Sequence, residues 1–173
     1  TAVSEGAANI TYTVTLTDAL GNLVTAANAI TVTTTQGIIT IAANASSGTL
    51  GKAIQVDDVY VDGETITNAI TAIAEATAGT PGSLEKLVFD NTPVSTVVSD
   101  TLDAVTAVLT VSSNGVDEGA VDLVYTVELQ DANGDPVIAN NIVTVTTTLG
   151  VITITAGDSS NTLTIPIQGD DAF

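Results

Sequence analysis

The groups in this chain that could do chemistry are carboxylates. The densest run is Asp57-Asp58-Val59-Tyr60-Val61-Asp62-Gly63-Glu64, and its opening recurs as Asp170-Asp171-Ala172-Phe173. Glu5 and Glu118 each stand before a glycine, Asp100-Thr101-Leu102-Asp103 adds two more acids, and Asp90-Asn91 lies shortly before them. Oxygen-rich clusters of this kind suit a hard cation, because Ca2+ takes about six to eight oxygen ligands in flexible geometry. Two carboxylates about 4 Å apart repel by roughly 1 kcal/mol in bulk water and by more near a protein surface, and a divalent ion reverses that term. The candidate metal ligands are therefore Glu5, Asp57, Asp58, Asp62, Glu64, Asp90, Asp100, Asp103, Glu118, Asp170 and Asp171. The competing reading is that they are solvated loop carboxylates that keep a threonine-rich surface soluble. On the residues alone both readings stay open.

Other chemistries are removed by composition. The chain has no Cys, His, Met or Trp. That excludes disulfides, thiolate and imidazole metal sites, and every nucleophile–histidine pairing used by hydrolases, so no enzyme is expected. Twenty Asp and Glu face only Lys52 and Lys86, a formal charge of −18. A surface this acidic cannot neutralise phosphates, which excludes nucleic acid as a partner and disfavours anionic membranes. No stretch approaches the length of apolar sequence that spans a bilayer, so no membrane insertion is expected. Neither end shows a signal-peptide pattern. The absence of Cys suits the cytosol and also large secreted bacterial proteins that avoid disulfides.

The elements that must position the carboxylates are strands. Apolar residues make up 45% of the chain, enough to build a core, and they are mostly Val, Ile, Leu and Ala interleaved with Thr. β-branched side chains of that sort suit a pleated, half-buried surface. Ile10, Tyr12, Val14 and Leu16 alternate with Thr11, Thr13, Thr15 and Thr17, which gives one inward face and one threonine face. Leu123, Tyr125, Val127 and Leu129 repeat that pattern, and Gly21-Asn22 and Asn133-Gly134 mark hairpin turns. Further strands are expected near 29–35, 37–43, 48–56, 64–73, 84–89, 94–98 and 104–112. A helix over 69–78 is only weakly signalled.

The chain also repeats itself. Glu5 aligns with Glu118, and the 113-residue offset then holds without a gap to Tyr60 on Phe173, with more than half of the positions identical. TVTTTQGIITI at 31–41 thus returns as TVTTTLGVITI at 144–154. Long-period self-similarity signals a tandem array of modules. About seven short strands per copy describe an all-β chain of tandem immunoglobulin-like β-sandwich modules. Residues 1–99 form a module lacking its lead-in strand, and 100–173 a second module lacking its C-terminal strands. The expectation is a longer natural protein, or neighbouring chains that supply the missing strands. Asp131-Ala132-Asn133-Gly134-Asp135 has the form of a calcium-loop opening. Its counterpart Asp18-Ala19-Leu20-Gly21-Asn22 lacks two of the oxygen positions, which favours a hairpin turn.

The order EG, alternating strand, "AGDSSNTLTIPI", then "DD" with an aromatic two residues on, is similar to the Calx-beta domain pattern. The whole module, with "DDVYVDGETITNAIT" and "LEKLVFDNTPVSTVVSDT", resembles more closely the extender repeats of giant RTX-type bacterial surface adhesins. That resemblance covers essentially the full chain. It implies calcium-binding immunoglobulin-like modules, exported by a type I system and strung between a cell-anchored end and a ligand-binding end. The Calx-beta pattern implies ligands from Glu5, Asp57, Asp58, Glu64 and Asp100. Val56, Gly169 and Val61 stand where Calx-beta domains are more acidic, which implies one or two weakly held Ca2+ ions per module.

The function expected is a non-catalytic, extracellular extender segment on the bacterial cell surface, a calcium-rigidified spacer for adhesion and biofilm formation. Its partners are neighbouring modules of the same longer chain, with no small-molecule substrate. The alternative is a surface-layer or fibre subunit assembled by strand complementation. A carbohydrate-binding module is a weaker reading, because Tyr12 and Tyr125 belong to the inward alternation.

Overall fold

The computed structural model describes residues 1–76, 83–117, 119 and 121–170. Among these residues the chain is all-β: thirteen strands in several small sheets, and no helix long and apolar enough to cross a membrane. It divides into two units, Thr1–Asp57 with Val61–Thr101, and Asp58–Tyr60 with Leu102–Phe173.

The first unit contains β1 (Ala2–Ser4), β2 (Ile10–Thr15), β3 (Ile30–Thr34), β4 (Gly37–Ile41), β5 (Ser47–Lys52), β6 (Glu64–Asn68), β7 (Ile70–Glu75) and β8 (Val94–Ser99). They pair as β1-β8-β6, β2-β5 and β4-β3-β7. The β1–β8 pair is parallel, with Val3 opposite Val98, and the other pairs are antiparallel. The period-two pattern decides what is buried. Ile30, Val32, Ile39 and Ile41 are fully or almost fully shielded, and they cluster with Tyr12, Leu16 and Ala26. Each such aliphatic side chain contributes about 1.5–3 kcal/mol on burial. The repeated TVTTTQGIITI phrase is the β3–β4 hairpin itself. Thr34 closes it by donating its hydroxyl to the Gly37 carbonyl at 2.7 Å.

The second unit contains β9 (Thr106–Val111), β10 (Leu123–Gln130), β11 (Val143–Thr147), β12 (Gly150–Ile154) and β13 (Ser160–Ile165), paired as β13-β10-β9 and β11-β12. Its core gathers Val127, Leu129, Ala139, Ile152 and Ile154. Equivalent residues do equivalent work in the two copies. Thr147 donates to Gly150 at 2.8 Å as Thr34 does to Gly37. A Cβ on either Gly37 or Gly150 would come 3.2 Å from a leucine methyl, that of Leu50 or Leu163.

Two strand expectations are corrected. The segment 64–73 is not one strand: it breaks at Ala69, and its halves join different sheets. The β3–β4 turn causes the break. Thr35 donates its amide to the Ala69 carbonyl at 3.0 Å and accepts the Ala69 amide on its hydroxyl at 3.1 Å, while the buried Asn68 side chain accepts from Gln36. Residues 84–89 form no strand. Leu84 and Leu87 both pack on the first core, a spacing of three that strand alternation cannot serve. The helix suggested over 69–78 is β7 as far as Glu75, and residues 77 and 78 lie outside the described residues.

A carboxylate network in the first unit

Glu5 follows directly on β1. Its amide donates to the Ser99 carbonyl at 3.0 Å, which carries the β1–β8 ladder one residue further. Gly6 then turns the chain at φ +67, and its amide donates to the Gln55 carbonyl at 3.1 Å. That turn buries the Glu5 side chain, which keeps only 4% of its surface exposed. A buried carboxylate needs hydrogen-bond donors, and here neutral groups supply them. The Thr101 amide donates to Oε1 at 2.8 Å, and the Gln55 side-chain amide donates to Oε2 at 2.9 Å. The Thr101 amide and then the Gln55 amide hold the Glu5 carboxyl below its ordinary value, against the smaller opposing effect of burial.

Gln55 and Thr101 do more than serve Glu5. The Gln55 amide also donates to Asp62, and the Thr101 hydroxyl contacts both Glu5 and Asp57. Asp62 in turn donates its backbone amide to Asp100 Oδ1 at 3.1 Å. A carboxylate oxygen of Glu5 lies within 4.8 Å of one on Asp57, and the same holds for Glu5 and Asp62. The two donors differ in capacity. The Gln55 amide has two hydrogens for its two carboxylates, whereas the Thr101 hydroxyl has one hydrogen for two. One of Glu5 and Asp57 therefore meets a hydroxyl lone pair on that side.

The structure thus brings together Glu5, Asp57, Asp62 and Asp100 from the expected set. Glu64 opens β6 with its side chain exposed. Asp90 is occupied locally, accepting the Thr92 amide at 2.8 Å and the Thr92 hydroxyl at 2.6 Å. Asp58 and Asp103 belong to the second unit, where Asp58 accepts the Tyr60 amide at 2.7 Å in a local turn. Asp170 sits against Gly119 as Asp57 sits against Gly6, while Glu118 and Asp171 lie outside the described residues.

The loops that open at Asp18 and Asp131 are turns closed by their own carboxylates. Asp18 Oδ1 accepts the amides of Leu20 and Asn22, and Asp131 Oδ1 accepts those of Asn133 and Asp135. Those donors lower both carboxyls, with the Asn22 side chain leading for Asp18 and the Asp135 amide leading for Asp131.

Gln55 and Thr101 were not among the residues expected from sequence. A signal existed for the first, since Gln55 recurs as Gln168 beside the second acidic pair.

The model of the LapA domain matches residues 1–101. The chain belongs to the LapA domain family. No curated protein matches it. The match ends on Thr101, so Glu5, Gln55, Asp57, Asp62, Asp100 and Thr101 all lie inside the LapA domain.

Proposed function

We propose that this LapA-domain chain is a non-catalytic extender segment of a repetitive bacterial surface adhesin, an extracellular spacer built from immunoglobulin-like β-sandwich modules. The observation that carries this reading is duplication at the level of geometry. Gly6 meets Asp57, and Gly119 meets Asp170, at nearly the same separation, 2.9 and 3.0 Å from an ideal Cβ. The Asp18 and Asp131 loops close through the same bonds. A spacer gains reach from each copy, whereas an active site gains nothing from a copied scaffold. The link between the LapA domain and cell-surface adhesion supports a place on the cell surface, and with it a role in adhesion and biofilm formation. The motif resemblance to RTX-adhesin extender repeats supports it from the sequence side.

Ca2+ belongs to the same proposal. The donor set around Glu5 is all oxygen from carboxylates, with a hydroxyl that cannot serve both of its acids. That chemistry fits a hard divalent ion better than nitrogen- or sulfur-seeking metals. Glu5 would hold it together with Asp57 or with Asp62, and the ion would supply charge neutralisation in a chain with two lysines. The test is unfolding of the 173-residue chain in Ca2+ and in chelator, read for wild type and Glu5→Gln. Extracellular module sites bind at about 10⁻⁴–10⁻³ M, so tenfold excess over the constant should stabilise wild type by about 1.4 kcal/mol per site. An unchanged wild-type midpoint removes Ca2+ from the account.

A further inference from the structure

The chain carries two Asn-X-Ser/Thr triplets, Asn9-Ile10-Thr11 and Asn44-Ala45-Ser46. Such a triplet in an exposed loop is the acceptor pattern for an N-linked sugar. The structure separates the two. Asn9 stands directly before β2, and its Thr11 is bound into the ladder opposite Gly51. A Cβ on Gly51 would lie 3.8 Å from Asn9 Nδ2, so that side chain rests against the sheet. Asn44 lies instead in the exposed turn between β4 and β5, which the Ala45 amide closes on the Ala42 carbonyl at 3.0 Å.

A second observation singles out Asn44. Among the described residues it is the only one other than glycine with a positive φ, at +62. Its counterpart in the other copy is Gly157, at φ +95. The two backbones are held alike, with the Asn44 amide on the Ala26 carbonyl at 2.8 Å and the Gly157 amide on the Ala139 carbonyl at 2.8 Å. Glycine adopts this conformation freely, whereas a side chain there is disfavoured, asparagine least among the rest. No local bond offsets that, because among the described residues neither the Asn44 side-chain amide nor the Ser46 hydroxyl makes a hydrogen bond. Gly157 is exposed too, with the whole first copy ahead of it in sequence, so the turn is open in both copies.

We propose that Asn44 is an N-glycosylation site, with Nδ2 as the acceptor and a glycosyl diphosphate as the donor. Nδ2 attacks the anomeric carbon, and a C–N bond forms as the C–O bond to the diphosphate breaks. The diphosphate leaves with the electron pair, and the Nδ2 proton passes to a base of the transferring enzyme. Ser46 supplies the hydroxyl that this enzyme reads two residues on. The free amide and the open turn leave room for a bulky, solubilising group that a strand ladder would exclude. The inference goes beyond the spacer reading and depends neither on it nor on Ca2+.

The test is peptide mapping by mass spectrometry of the chain recovered from the cells that make it, beside the variants Asn44→Gly, Ser46→Ala and Ser46→Thr. The expected result is a sugar on the peptide that holds Asn44. A single hexose would identify a nucleotide-linked donor, and an oligosaccharide a lipid-linked one. The sugar should be lost in Asn44→Gly and Ser46→Ala and kept in Ser46→Thr. Asn44→Gly should unfold at the wild-type midpoint or above it, since Gly157 holds the same turn, so loss of the sugar there is not loss of the fold. An unmodified Asn44 peptide, a sugar on Asn9 in its place, or a sugar that survives Ser46→Ala would each overturn the proposal.

Discussion

Gly6 and Asp57 approach so closely that a Cβ added at position 6 would lie 2.9 Å from the Asp57 Cβ. The glycine is also held at φ +67, where a side chain is strained whatever the space. Gly6→Ala should therefore lower stability by about 1–3 kcal/mol, from backbone strain and crowding together. Gly115, with nothing within 4 Å of its ideal Cβ and no positive φ, is the control. Urea unfolding of the two variants checks the difference, and equal midpoints would contradict it.

Glu5 makes stability depend on acid in a defined direction. Its folded carboxyl titrates below the ordinary value of 4.5 because Thr101 and Gln55 donate to the charged form. Its contribution is thus complete above about pH 4.5 and disappears as the pH falls through the lowered value. Asp18, Glu75, Asp90 and Asp131 act with the same sign. Glu5→Gln should be less stable than wild type at pH 7, and the gap should narrow below pH 4.5. Denaturant midpoints measured from pH 7 to pH 3 check this, and a gap that widens in acid contradicts it.

Gly48 offers a test in which size is not the deciding variable. A Cβ there would press well inside contact distance of the Thr40 carbonyl. The equivalent position in the second copy is Asn161, whose side-chain amide donates to the Thr153 carbonyl at 2.6 Å. Gly48→Ala should cost about 1–3 kcal/mol by overpacking. Gly48→Asn should cost less than Gly48→Ala, because the larger side chain brings a donor for the same carbonyl. Thermal midpoints of the two variants decide it.

Tyr12→Phe removes a buried hydroxyl that has no partner. Leaving such a group buried costs about 1–3 kcal/mol, so the variant should be as stable as wild type or more stable. A loss above about 1 kcal/mol in urea would show that the hydroxyl is in fact paired.

Much of this fold was legible because period-two alternation is a local signal. Ile30, Val32, Ile39 and Ile41 announce their burial by alternating with threonine, and the hairpin between them is read directly. What escaped was set by contacts distant in sequence. The break at Ala69 comes from Thr35, whose amide and hydroxyl both bond to it across the chain. Leu84 and Leu87 look like strand residues, yet they reach the core from an irregular segment. The site was legible by type and only partly by membership. Glu5, Asp57, Asp62 and Asp100 converge as their clustering suggested, while Asp90 turns to Thr92. Gln55 and Thr101 carry no charge, so among the donors that join those acids only Gln55 left a trace in the sequence, its recurrence as Gln168.

The parallel pairing of β1 with β8 has a mechanical consequence. These strands lie at opposite ends of the first unit's sequence yet run side by side, matched at Ala2–Val97, Val3–Val98 and Ser4–Ser99. Pulling residue 1 and residue 99 apart along the strands loads the whole ladder in shear, so its bonds must fail together instead of peeling one by one. Just beyond the ladder, the Glu5 carboxylate held by Thr101 fastens the same two segments with a side-chain clasp.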